Sequence, residues 1–166
     1  MQLDEAKQRF IQAWGAFGSQ WGINRSMAQV HALLMMSPEP LSTEEVMEQL
    51  GISRGNANMN VRALIDWQLV HKALKTGERK EYFEAEKDVW KMATHIARER
   101  KRRELEPMIA LLNELKETSG KNAEAEEFRS MTTNLLDLTT RLDKVLDKST
   151  RSDVQWFIKA ASALMK

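Results

Sequence analysis

The sequence predicts a mainly α-helical chain with one small β-hairpin, on three observations. Apolar residues recur at helical spacing through most of the 166 residues. Two short helical stretches meet at a glycine-containing turn around Gly51–Ile52–Ser53. Two apolar and aromatic runs then follow, LVHKAL and KEYFEA, flanking the turn sequence KTGER. A helix-turn-helix followed directly by a hairpin is a winged helix-turn-helix. Here it has a two-stranded wing, with long N- and C-terminal helices available for dimerisation.

Each element has its own signals. From Asp4 to Trp21 the aromatic residues Phe10, Trp14, Phe17 and Trp21 repeat at helical spacing, with Gly15, Gly18 and Gly22 among them. A second helix is expected from about Arg25 to Met36, ended by SPEP because proline cannot continue the hydrogen-bond ladder. In LSTEEVMEQL, Ser42 and Glu45 form a capping-box signature, and Gly51 closes the helix with a left-handed cap. Ser53 is placed to cap the next helix, which runs to about Trp67 through Ala57, Val61 and Leu64. After the hairpin, a helical pattern runs from Asp88 to about Thr118. Pro107 should kink it near Arg103 or split it. A long helix from about Ala123 to Asp147 carries Phe128, Met131, Leu135, Leu138, Leu142 and Val145 at steps alternating three and four, a heptad seam. A last helix is expected from Ser152 to Met165. Three parts result: N-terminal helices at 1–36, the winged helix-turn-helix at 37–87, and a C-terminal helical dimerisation region at 88–166.

Composition narrows the function. The absence of cysteine excludes disulfides and argues against structural zinc. His31, His71 and His95 have no metal-ligand spacing, and no phosphate-binding glycine loop or nucleophile elbow occurs. No enzymatic activity, metal or cofactor is therefore expected. MQLDEAKQRF is not a signal peptide, and no run of about 18 apolar residues is present, so a cytoplasmic protein without a membrane partner is expected. With a net charge of +1, any affinity for nucleic acid must come from local clustering of positive charge.

That clustering occurs in the winged helix. Between Arg54 and Lys80 six cations face only Asp66 and Glu78. Gly55, Asn56, Asn58 and Asn60 crowd the second helix of the motif, although glycine and asparagine cost up to about 1 kcal/mol each relative to alanine in a helix interior. Recognition accounts for that cost. The first turns of this helix enter the major groove, where asparagine grips adenine and arginine grips guanine. Arg54, Asn56, Asn58 and Arg62 supply those groups, and Met59 can touch a thymine methyl. Ser53 and the free N–H groups at the helix start can hold a phosphate. Gly55 either lets the backbone approach DNA or lets the preceding helix pack tightly. Asn60 lies near the apolar face and can hydrogen-bond inside the motif. In the wing, Lys75, Thr76, Gly77, Arg79 and Lys80 suit a phosphate ridge or narrow minor groove. The basic run RERKRR, Arg98 to Arg103, reads first as a solvated helix face. The stripe through Trp14, Phe17 and Trp21 is either core, dimer interface or a cage for a quaternary ammonium ion. The heptad seam packs either within one subunit or between two.

The stretches AWGAFGSQWGINRSMAQVHALL, LSTEEVMEQLGISRGNANMNVRALIDWQLV, GERKEYFEAEKDVW and RERKRRELEPMIALL resemble the MarR superfamily of bacterial winged-helix regulators, and within it the GbsR-like branch. The resemblance covers about Trp14 to Leu112. It implies a homodimeric winged-helix transcription regulator, a repressor by the family's habit, on a pseudo-palindromic operator, and some members of the family sense small osmolyte precursors such as choline. The alternative is a winged-helix protein–protein adaptor without sequence-specific DNA binding.

Overall fold

The computed structural model describes residues 1–151 and divides the chain into two compact units, Met1–Met92 and Ala93–Lys166. The helix expected at Ser152 to Met165 lies outside the described residues.

In the first unit, α1 (Leu3–Gln20) packs on α2 (Arg25–Met36). The buried stripe of α1 is Ile11, Gly15 and Gly18, and the aromatic residues lie beside it. The glycines set this closeness. A Cβ on Gly18 would lie 2.7 Å from Ala28 Cβ, and one on Gly15 would lie 2.7 Å from Gln29 Cγ. Gln12 Oε1 joins the two helices on the outside, accepting from Gln29 Nε2 at 3.0 Å and Arg25 Nη2 at 3.2 Å. Asn24 caps α2 by accepting from the Met27 N–H.

A two-residue strand, β1 (Leu41–Ser42), leads into α3 (Thr43–Leu50). The capping box forms in full: the Glu45 N–H donates to Ser42 Oγ, and the Ser42 N–H donates to Glu45 Oε2 at 2.7 Å. The Ser42 N–H, and after it the Ser42 hydroxyl, which also donates to Glu45 Oε2 at 2.7 Å, hold the Glu45 carboxyl below its usual range. Gly51, at φ +63°, ends α3 in the left-handed region that side chains disfavour. Three residues later α4 (Arg54–Asp66) begins under the Ser53 cap. Strands β2 (Val70–Ala73) and β3 (Tyr82–Ala85) pair antiparallel, with Val70 opposite Ala85 and Lys72 opposite Phe83. The expected two-stranded wing gains a third strand, because β1 pairs with the other edge of β3, Leu41 opposite Phe83.

Val30, Leu34, Val46, Val61, Leu64 and Val70 are the largest fully buried side chains among the described residues, so α2, α3, α4 and β2 share one core. Truncating Leu34 or Leu64 to alanine costs about 2–5 kcal/mol at such sites. Lys87 locks the sheet exit to α2: its Nζ donates to the carbonyls of Leu34 (2.9 Å), Met35 (2.8 Å) and Ser37 (2.8 Å). Partial burial holds its pKa below the usual lysine value.

The second unit is built on a helical hairpin. α5 (Val89–Arg100) spans the boundary and passes into a five-residue π-helical segment (Lys101–Leu105), then α6 (Glu106–Leu115). Pro107 has no N–H for the carbonyl of Arg103, and the ladder widens in that turn. α7 (Ala123–Arg151) packs along α6. Lys101 ties it to the π segment, with Nζ 2.6 Å from Asp147 Oδ1 and 3.2 Å from Asp143 Oδ1.

Candidate nucleic-acid interface

The candidate recognition surface is one face of α4. Ala57, Asn60, Val61 and Leu64 point into the core, and Gly55, Met59 and Arg62 are exposed on the opposite side. Asn56 and Asn58 are half-buried at its margins, and Ser53 and Arg54 are exposed at its start. The face is therefore presented by a helix whose other side is fixed by packing. Such rigid presentation keeps side chains aligned with base edges.

The hydrogen bonds sort the asparagines. Asn60 is only 2 % exposed, and its Nδ2 donates to the Asn56 carbonyl at 2.9 Å and to Asn56 Oδ1. It serves the helix from inside, as the sequence allowed. Asn58 Oδ1 accepts from Thr43 Oγ1 at 3.3 Å, linking α4 to α3. The Asn56 N–H donates to Ser53 Oγ at 3.2 Å. Gly55 has open space: a Cβ there would meet nothing within 4 Å. The preceding helix therefore does not pack tightly against Gly55.

Acidic partners temper the positive charge. Arg54 Nη2 lies 2.8 Å from Glu44 Oε1, with both side chains well exposed. Glu44's carboxyl sits below its usual range through its backbone hydrogen bond first and the Arg54 bond next. Solvent screens both partners, so the pair holds Arg54 only weakly. In the wing, Lys72 pairs with Glu81. Lys75 is drawn back over the Tyr82 ring, its Nζ 4.2 Å from the centroid. The Tyr82 hydroxyl donates to Glu78, and that bond pushes its pKa up to about 12. Thr76, Gly77, Arg79 and Lys80 are exposed at the tip.

The other candidates fall elsewhere. Phe10, Trp14, Phe17 and Trp21 form a ladder of rings along α1, with centroids 5.3–6.0 Å apart. Phe17 and Trp21 are exposed. His31 of α2 meets the Trp14 ring edge-on at 6.3 Å. It is buried, its Nε2 has no partner among the described residues, and burial lowers its pKa to about 4. A cavity of about 160 Å³ lies apart from the ladder, lined by Asp4, Lys7, Ile11, Leu33, Met36 and Gln49 among others. Phe128, Met131, Leu135, Leu138, Leu142 and Val145 of the heptad seam are all exposed, at 41–60 %. Four of the five cations of the RERKRR run are paired. Arg102 and Arg103 bind the buried Glu99, Arg100 binds Glu104, and Lys101 binds the acids of α7.

Capped α3, a three-residue turn, α4 and the wing define a winged helix-turn-helix of the transcriptional-regulator type. No protein-family model matches the chain. Over 112 residues it is 27 % identical to the HTH-type transcriptional repressor GbsR of Bacillus subtilis (strain 168), covering 68 % of this chain and 62 % of that protein. It is 23 % identical over 88 residues to the HTH-type transcriptional repressor OpcR of the same organism, covering 53 % of this chain and 48 % of the relative. The chain thus aligns with less than two thirds of the length of either. The crystal structure of a transcriptional regulator shares the fold, with a TM-score of 0.68 at 18 % identity over 87 % of this chain and 95 % of that one. The fold is therefore related to that of MarR-type regulators, GbsR among them. Among the described residues no cluster of metal-binding side chains occurs, and no helix is long and apolar enough to cross a membrane.

Proposed function

We propose that the protein is a homodimeric, sequence-specific DNA-binding repressor of the GbsR-like branch, with Arg54, Asn56, Asn58, Met59 and Arg62 reading bases. The exposed polar face of α4, opposite a fully packed face, carries this reading. Ser53 and the helix start take a backbone phosphate, and Lys75, Thr76, Gly77, Arg79 and Lys80 bring the wing to the adjacent backbone or minor groove. Repression is proposed because two relatives are named repressors.

The seam on α7 is the proposed dimer contact. Six exposed apolar residues at heptad spacing suit a matching seam on a second copy. A dimer places two α4 helices on half-sites about one helical turn apart, giving affinity that one motif lacks. The exposed rings of Phe17 and Trp21, beside Trp14, are the proposed contact for a choline-like effector through cation–π attraction. Calorimetric titration with millimolar choline tests that contact, and a flat thermogram removes it.

Selection from a random-sequence duplex pool tests the main proposal. Enrichment of a two-fold symmetric motif with half-sites about 10 base pairs apart is expected. Recovery of unrelated sequences would favour the adaptor alternative.

A further inference from the structure

We infer that Asn60 is a positioning residue: it fixes the amide of Asn56 with its NH2 turned outward, so that Asn56 selects an acceptor on the base edge. The inference rests on α4 being the DNA-reading helix.

The orientation follows from hydrogen-bond logic. A backbone carbonyl only accepts. The Asn60 branch 2.9 Å from the Asn56 carbonyl must therefore be its NH2. That same NH2 also meets the Asn56 side chain, and an NH2 only donates, so the Asn56 atom facing it must be Oδ1. The remaining branch of Asn56, its Nδ2, then points away from Asn60. It has no partner among the described residues. Asn60 is 2 % exposed, so water does not compete for its amide. The assignment at Asn58 is different: its contact is the Thr43 hydroxyl, which both donates and accepts and so fixes no orientation.

A leading donor discriminates among bases. In the major groove it meets acceptors at guanine N7 and O6, adenine N7 and thymine O4, and it opposes the N4 donor of cytosine. A bidentate contact discriminates by roughly five- to 150-fold, and one oriented donor against an opposing donor should reach the low end of that range, about ten-fold.

Random-pool selection with wild type, Asn56→Ala, Asn60→Leu and Asn60→Ser tests this. Asn56→Ala locates the base position that Asn56 reads, as the position it relaxes. Asn60→Leu keeps the volume but frees the Asn56 amide to turn either way. Asn60→Ser keeps a donor to the Asn56 carbonyl yet cannot reach the side chain, and it serves if the leucine variant does not fold. Disfavour of cytosine at that position, about ten-fold in wild type, should fall below about two-fold in both Asn60 variants, with preferences elsewhere intact. Adding Asn60→Leu to Asn56→Ala should change no preference further. Retained rejection of cytosine in the Asn60 variants would overturn the proposal, as would a loss spread over all positions. Wild-type protein without any preference would instead sink the DNA-reading function itself.

Discussion

The two units differ in how they dispose of apolar surface. In Met1–Met92, helices and sheet close around Val30, Leu34, Val46, Val61, Leu64 and Val70. In the second unit Leu112 is the one apolar side chain buried among the described residues, beside the polar Glu99 and Thr132. Among its described residues the outer stripe of α7 is exposed. The first unit therefore holds its own fold and can spend its exposed face on recognition. The second leaves a seam whose burial requires another surface. Changes on the α4 face should cost binding and spare stability, and changes on the α7 seam should cost assembly.

The largest effect should come from the seam. Leu135→Asp with Leu138→Asp removes two side chains, each worth about 1.5–3 kcal/mol when buried. The dimer dissociation constant should rise by more than about 100-fold, read by sedimentation equilibrium, with helix content unchanged. An unaltered oligomeric state would move the interface elsewhere.

The core of the first unit predicts the next. His31 is buried and neutral, with its folded pKa near 4 against an unfolded value of 6.5. Above pH 6.5 neither state binds the proton. As pH falls from 6.5 toward 4, the unfolded chain gains a proton that the fold refuses, and stability drops by an amount on the order of 3 kcal/mol. Below the folded pKa the loss levels off. His31→Leu should abolish this component, so its advantage over wild type in urea unfolding should widen between pH 7 and pH 4.5. A constant difference across that range would show that His31 is solvated.

On the recognition face the effects are smaller and confined to binding. Arg62→Ala should cost about 1–3 kcal/mol on the selected site and little on random DNA, with the urea midpoint unchanged. Lys80→Ala should weaken every sequence alike and lower the salt slope by about one. Equal losses on both DNAs for Arg62→Ala would place it on the backbone.

What the sequence made legible was local chemistry. Ser42–Glu45, Gly51 and Ser53 announce their caps because the partners lie within four residues. Pro107 marks the widened turn for the same reason. Tertiary choices were hidden. Hydrophobic periodicity pointed to the aromatic ladder of α1, yet the buried stripe runs through Gly15 and Gly18, whose missing side chains carry no hydrophobic signal. β1 is two residues long and adjoins a capping box, so it shows no alternation. The pairing of Arg54 with Glu44 and the hold of Lys87 on α2 join residues 10 and about 50 positions apart, beyond any local pattern. The polar face of α4 was visible from its weak helix formers. The inward role of Asn60 was resolved by its burial.

The central claim is that α4 reads sequence, and the direct measurement is fluorescence anisotropy at two salt concentrations. Wild-type protein would be titrated with the selected duplex and with a scrambled one of equal length. The account predicts binding to the selected duplex roughly 10³-fold tighter or more, with the gap persisting as salt rises. Equal affinities that fall together with salt would contradict it.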